Sequence, residues 1–184
     1  SISILKALRP QALKGGLDYY CLWGLVDSPK SPSKNHIGYD LPNFSAELTL
    51  SELPIPVAPW RSIQIAVHAF VAESFIDELA HLAGEDPVAF RLKNLADNPR
   101  AARVLKTAAE KAGWGKTLPE GHGIGIAQHQ CMGSYVAEVA EVSVDRKRGT
   151  IAVHKVTAAV DCGPVINPDP LVAQMEGGIT LALS

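Results

Sequence analysis

Two short segments carry residue types that could take part in catalysis or bind a small molecule. In the first, Trp60 and Arg61 follow Pro56 and Pro59, which hold the backbone extended. A guanidinium on a rigid segment is suited to binding an anion or stabilising negative charge that develops in a transition state. A purely structural Arg61, stacked on the Trp60 ring, is the alternative. These residues alone leave both interpretations open.

The second segment is Gln174-Met175-Glu176-Gly177-Gly178, inside a run with helical character. Each glycine in a helix interior costs about 1 kcal/mol relative to alanine. The adjacent pair therefore indicates that something approaches the backbone closely, either a neighbouring helix or a bound cofactor. Gln174 and Glu176 supply polar groups, although positions i and i+2 do not share a helical face.

Signatures of several other enzyme classes are absent from the sequence. It contains no GxSxG elbow, no Walker loop and no HExxH helix. Gly121–Ile126 is superficially like a dinucleotide-binding loop, but the third glycine would fall on Ile126, and we predict a glycine-rich turn entering a strand. The six histidines are scattered, so no protein-ligated metal is predicted. We expect Cys131 and Cys162 to be buried, small apolar groups.

Composition narrows the class of protein further. The 184 residues include 17 basic and 19 acidic side chains, a net charge of −2 that excludes a dedicated nucleic-acid binder. Apolar residues make up 47% and charged residues 20%, which excludes wholesale disorder. The chain begins at Ser1 and ends on the apolar run Gly177–Ser184, so we expect an internal piece of a longer polypeptide.

The pattern divides the chain into three parts of one larger unit. Residues 1–59 form an irregular segment with short strand character at Asp18–Val26 and Phe44–Leu50. Residues 60–116 form a helical segment, and residues 117–184 form a sheet with a C-terminal helix. The predicted fold class is α+β, with a helical segment followed by a mixed β-sheet and a terminal helix.

Capping residues predict three helices within residues 66–112. The first ends at Gly84, a residue suited to a left-handed cap. Asp86-Pro87 and Asn98-Pro99 begin the second and third, because aspartate and asparagine cap helices and proline is tolerated at the first helical position. The third helix ends at Gly113.

The last part of the chain changes to strand character. Tyr135–Val144 and Thr150–Val160 predict two strands joined by a polar turn. Both faces of each strand are largely apolar, which predicts a sheet covered on both sides. A loop with Pro164, Pro168 and Pro170 follows, and Leu171–Leu183 predicts a helix.

Several segments, in uninterrupted order over residues 38–184, share their sequence with one known enzyme family. They are Pro59–Ser62, Phe70–Ala80, Asp86–Asn94, Ala108–Gly115, Gly133–Val144, Ala159–Gly163, Asn167–Asp169 and Gln174–Gly178. Together they resemble the large, molybdopterin-binding beta subunit of isoquinoline 1-oxidoreductase-type enzymes. That family lies in the xanthine dehydrogenase and aldehyde oxidase superfamily. Residues 1–37 match it only loosely.

The resemblance implies part of the cofactor-binding domain of a molybdenum hydroxylase. Such enzymes hydroxylate an N-heteroaromatic compound or an aldehyde and pass electrons to iron–sulfur clusters on a small partner subunit. The molybdenum is held by the dithiolene of molybdopterin cytosine dinucleotide rather than by side chains. The resemblance assigns Arg61 as the catalytic arginine, and Gln174, Glu176, Gly177 and Gly178 to cofactor binding.

Other parts of the family pattern lie outside this sequence. The family's glutamate base lies downstream and a glycine-rich loop lies upstream, so we expect the isolated chain to be inactive and to bind no cofactor tightly. Residues 63–68 are less glycine-rich than the family, so the resemblance assigns no cofactor contact to them. The alternative from another class is a non-catalytic scaffold or partner-interface module. Bacterial cytoplasm, periplasm and inner-membrane association all stay open as locations.

Overall fold

A computed structural model describes residues 38–43 and 65–184, which fall in two units, 1–78 and 79–184. The predicted strands at 18–26 and 44–50 lie outside the described residues. The helices are α1 (Ile65–Ala83), α2 (Pro87–Lys93), α3 (Pro99–Ala112) and α4 (Pro168–Leu183). The strands are β1 (His122–Cys131), β2 (Ser134–Asp145) and β3 (Thr150–Asp161). Helices followed by a sheet and a terminal helix confirm the α+β class.

Helix α1 runs from the first unit into the second. In the first unit, Tyr39 and Glu73 are buried, and the Tyr39 hydroxyl donates to Glu73 Oε1 at 2.7 Å. Other positions of α1 expose large apolar side chains, at Val67, Phe70, Val71, Phe75 and Leu82. Among the described helices, none is both long and apolar enough to cross a membrane.

The start of α2 is fixed by one carboxylate with two tasks. Asp86 Oδ1 accepts the backbone N–H groups of Val88 and Ala89, each at 2.9 Å. Its other oxygen accepts the indole N–H of Trp114 at 2.8 Å. Because Trp114 follows the end of α3, Asp86 ties the beginning of α2 to the segment beyond α3. Asn98 caps α3 as predicted, accepting from Ala101 N at 3.2 Å.

The three strands form an antiparallel sheet in the order β1-β2-β3. The sequence predicts a mixed sheet, and the difference follows from the short connections, since a tight hairpin can join only antiparallel neighbours. Met132 and Gly133 form the two-residue turn between β1 and β2 with φ of 49° and 82°, the sign that a type I′ turn requires. β1 begins at His122, so most of Gly121–Ile126, predicted as a glycine-rich turn entering a strand, belongs to the strand itself.

The core of the second unit lies between α3 and one face of the sheet. Small side chains on α3 let the helix approach the strands closely. The buried apolar residues there are Ala101, Val104, Leu105, Ala108, Ala109 and Ala112 on α3, and Ile126, Ala137 and Val139 on the strands. Within residues 79–184, no helix packs across the other face. Cover over that second face therefore stays a prediction.

Two of the three prolines that were predicted to lie in a loop after β3 belong to a helix instead. Helix α4 begins at Pro168, so Pro168 and Pro170 both stand in its first turn. Proline is accepted there because the first N–H groups of a helix have no intrahelical partner. Asn167 caps the helix and accepts from Asp169 N at 3.1 Å.

The double task of Asp86 yields a stability prediction. Asp86→Ala removes the cap and the acceptor for the Trp114 indole, and should destabilise the 184-residue chain by about 2 kcal/mol, the sum of a cap and one solvent-exposed hydrogen bond. Trp114→Phe, which removes only the indole donor, should cost about 1 kcal/mol. Urea unfolding measures both, and equal losses in the two variants would contradict a separate capping role.

Candidate cofactor-binding site

Helix α4 brings three of the four predicted cofactor-binding residues onto one face. Gln174, Gly177 and Gly178 stand at positions i, i+3 and i+4 of a continuous helix, so they are surface neighbours. Glu176 is at i+2 and lies on the opposite side. The face therefore consists of an amide side chain beside a stretch of bare helix backbone.

No packing in the described residues explains the two glycines. A Cβ built on Gly177 or Gly178 meets no atom within 4 Å. Helix α4 also contains no buried residue. Packing against a neighbouring helix, the first of the two interpretations offered by the sequence, is therefore not realised within the described part of the chain.

Glu176 stands apart from the other three predicted residues. Its side chain is exposed, as is that of Gln174, and its main-chain carbonyl accepts the Thr180 hydroxyl at 2.8 Å. That bond is local to α4 and lies on the side away from the glycine face. The structure thus separates Glu176 from the residues that share the glycine face.

An ion pair stands where the chain leaves the sheet towards α4. Arg100 Nε donates to Asp161 Oδ2 at 2.9 Å, and Arg100 Nη2 donates to Asp161 Oδ1 at 2.7 Å. The same Nη2 reaches the Asp161 carbonyl oxygen at 3.2 Å, and the guanidinium carbon lies 4.4 Å from the centre of the Tyr135 ring. Tyr135 is the cross-strand partner of Asp161 on β2. Three elements, α3, β2 and β3, therefore meet at this ion pair.

Asp161 also fixes the first residues of the connector, residues 162–167. Its Oδ1 accepts the Gly163 backbone N–H at 3.1 Å. Hydrogen bonds from Arg100 and then from Gly163 hold the pKa of Asp161 at about 2, below its usual value. A groove of about 280 Å³ lies beside the connector, with Arg103, Thr107, Cys162 and Gly163 among its lining residues. Cys162 is exposed, contrary to the prediction of a buried thiol.

The opposite end of the sheet gathers other polar side chains. The rings of His122 and His154 stack with centroids 4.9 Å apart, and His154 Nε2 lies 2.7 Å from the Ser143 hydroxyl. Lys116 pairs with Glu141 nearby and lowers the pKa of that carboxyl. The sequence interpretation missed this cluster and the Arg100–Asp161 pair. Correct strand register was the only signal that could have brought His122 and His154 together.

The remaining predictions concern Arg61 and metal binding. Arg61 lies outside the described residues, so its catalytic role stays a prediction. Within residues 38–43 and 65–184, no group of three or more His, Cys, Asp or Glu side chains is arranged to hold a metal ion. Cys131 is half-buried, and its burial raises the pKa of the thiol.

The second unit is thus a small α+β unit whose terminal helix carries two adjacent glycines, at which a Cβ would meet no described atom within 4 Å. Residues 70–184 match the family model described as the molybdopterin cofactor-binding domain. The chain belongs to this molybdopterin cofactor-binding domain family. The α4 face lies entirely within the matched residues.

Three relatives with curated names align with two thirds or more of this chain. The chain is 36% identical to the beta chain of isoquinoline 1-oxidoreductase from Brevundimonas diminuta, over 80% of this chain and 19% of that protein. It is 36% identical to a nicotinate dehydrogenase subunit from Pseudomonas putida, over 74% of this chain and 13% of that protein. It is 36% identical to a membrane-bound aldehyde dehydrogenase (pyrroloquinoline-quinone) of Gluconacetobacter polyoxogenes, over 67% of this chain and 18% of that protein. The chain thus spans about a fifth or less of the length of these relatives.

The lowered pKa of Asp161 predicts how stability depends on pH. A carboxyl whose pKa is depressed in the folded state stabilises that state above its unfolded pKa of 3.8, and loses the contribution as pH falls towards about 2. Asp161→Asn should therefore be less stable than the unmodified chain at pH 6, with the difference shrinking between about pH 4 and pH 2. Urea unfolding over this range measures it. The exposed Asp97→Asn change is the control, and a difference for Asp161→Asn that stays constant down to pH 2 would contradict the prediction.

Proposed function

We propose that this chain forms part of the cofactor-binding unit of a molybdopterin-dependent oxidoreductase. The parent protein would hydroxylate an N-heteroaromatic compound or an aldehyde and pass electrons to iron–sulfur clusters on a small partner subunit. The observation that carries the proposal is the face of Gln174, Gly177 and Gly178, which lies inside the matched residues 70–184 and whose two glycines meet no described side chain.

The chemistry of this face fits a pterin. The Gln174 amide can donate and accept hydrogen bonds, as the alternating N–H and C=O groups of a pterin edge require. The two glycines let a flat ring or a phosphate approach the helix backbone more closely than any side chain would allow. When bound, the molybdenum cofactor supplies the oxidation chemistry, while α4 binds and orients it. The cytosine dinucleotide form of the cofactor is part of this proposal.

Arg61 is proposed as the catalytic arginine of the parent enzyme. When the substrate carbon is attacked, negative charge develops on a ring nitrogen or a carbonyl oxygen. A guanidinium already in position stabilises that charge more than it stabilises the neutral ground state. The prolines at 56 and 59 restrict the backbone that leads to Arg61.

The curated relatives favour this proposal over a non-catalytic scaffold. Two of them are named for the oxidation of isoquinoline and nicotinate, both N-heteroaromatic compounds, and the third for an aldehyde. The third name also gives pyrroloquinoline quinone as a cofactor, so the experiment must distinguish a pterin from a quinone. A scaffold would carry neither group.

Gly177→Ala tests the proposal in two preparations. In the 184-residue chain the change should raise helix stability by about 0.5–1 kcal/mol, because the added methyl group meets no neighbour and alanine favours a helix. In the full-length parent protein the same methyl group should obstruct the cofactor and lower the molybdenum and pterin content per polypeptide. Circular dichroism on thermal unfolding measures the first effect, and elemental and pterin analysis the second.

Glu176→Ala is the matched control, because it also increases helix propensity but lies on the opposite side of α4. Glu176→Ala should leave the molybdenum content unchanged. Equal losses of molybdenum in Gly177→Ala and Glu176→Ala would show that Glu176 also contributes to cofactor binding. A parent protein without molybdenum and pterin would overturn the proposal. If the protein held pyrroloquinoline quinone instead, its cofactor would be a different one. If it held neither molybdopterin nor the quinone, that result would support the non-catalytic scaffold.

Arg61→Met should lower turnover of the full-length enzyme by about 10²- to 10³-fold, the range typical of losing one donor to a developing anion. Molybdenum content should stay normal, because the change keeps much of the bulk and removes only the charge. Steady-state kinetics normalised to molybdenum measures it. Loss of molybdenum, or unchanged activity per folded molecule, would make Arg61 a structural residue.

A further inference from the structure

We propose that Arg100 is a positioning residue that holds the glycine face of α4 in place for the cofactor. The inference rests on the proposed function. It adds to the glycine face of α4 a residue that lies more than 70 positions earlier in the sequence. Arg100 stands in the first turn of α3, whereas its partner Asp161 is the last residue of β3.

The connector is exposed, and hydrogen bonds stand at both of its ends. Residues 162–167 are all exposed, and α4 has no buried residue, so apolar burial contributes little to the placement of either. Within the described residues, one side-chain hydrogen bond stands at each end of the connector. At one end Asp161 accepts from Gly163 N, and at the other Asn167 accepts from Asp169 N. The Asp161–Gly163 bond is connected to α3 through Arg100, whereas the Asn167–Asp169 bond joins only the connector and α4.

Arg100 is suited to this task by the shape of its side chain. The planar guanidinium places two N–H groups on the two carboxylate oxygens of Asp161 and still reaches the main-chain carbonyl of that residue. Its guanidinium carbon lies over the Tyr135 ring, and this contact limits movement of the group. Two parallel charge-assisted bonds fix direction as well as distance, whereas a lysine ammonium would supply only a point charge. The orientation of Asp161, and with it the first turn of the connector, is therefore determined by Arg100.

The groove beside the connector is consistent with this inference. Arg103 lies one turn beyond Arg100 on α3, is exposed, and lines the groove together with Gly163. It acts on Asp161 only through its charge at a distance. Arg103 is thus a matched cation on the same helix that lacks the two-bond contact with the connector.

The test uses Arg100→Gln, Arg100→Lys and Arg103→Gln in the full-length protein, with two measurements. Amide hydrogen exchange should become faster in residues 162–183 for Arg100→Gln and stay unchanged in β1 and β2. Molybdenum should dissociate about 10-fold more readily on dialysis, the lower end of the range for residues that act on a metal site through a second group. Arg100→Lys should show both changes to a smaller extent than Arg100→Gln, because it keeps the charge without the planar group. Arg103→Gln should change neither the exchange rates nor the retention of molybdenum.

Each other result would overturn the inference. Faster exchange with normal retention of molybdenum would show that cofactor binding does not depend on how α4 is held. Loss of molybdenum without faster exchange in residues 162–183 would show that Arg100 does not act by anchoring the connector. Equal effects of Arg103→Gln would show that Arg100 acts by its charge alone. If Arg100→Gln does not fold, Asp161→Asn removes the same pair from the other side and must give the same two changes. An unmodified protein that holds no molybdenum would instead overturn the proposed function, and the exchange measurement would still report whether Arg100 anchors the connector.

Discussion

The packing of α3 on one face of the sheet is the contact on which the rest of the second unit depends. Its buried positions include Val104 and Leu105 as well as several alanines, which are small enough to bring the helix axis close to the strands. This contact also decides where the polar residues of α3 can reach. Because the apolar stripe fixes the rotation of the helix about its axis, Arg100 in the first turn lies at the end of the sheet where β3 finishes.

The sequence predicts well what is decided locally. Asp86-Pro87, Asn98-Pro99 and Gly113 mark helix ends through bonds between residues at most a few positions apart, and the structure confirms each of them. The terminal helix is also confirmed, although it begins at Pro168 rather than Leu171. Prolines are ambiguous in a sequence, since the first turn of a helix and a loop both accept them.

Features that depend on contacts distant in sequence were predicted poorly. Arg100 and Asp161 are 61 residues apart, and nothing near either of them indicates the other. The start of β1 was predicted as a turn because Gly123 and Gly125 interrupt the pattern of β-branched residues that identifies a strand. For the candidate site, the resemblance assigned Gln174, Glu176, Gly177 and Gly178 together, and the i, i+2 spacing already indicated that Gln174 and Glu176 do not share a face. The continuous helix α4 has the geometry which that spacing assumes.

Helix α4 shows how local order and burial can be independent. It is capped by Asn167 and stays continuous through two adjacent glycines that each lower its intrinsic stability. No buried residue compensates for that loss within the described residues. A helix of this kind is held by its capped start and by whatever covers its faces when the whole protein is assembled. The core of this unit lies between α3 and the sheet with no buried residue from α4, so nothing within the described residues covers the glycine face. The cofactor proposed above is the group that we expect to cover it.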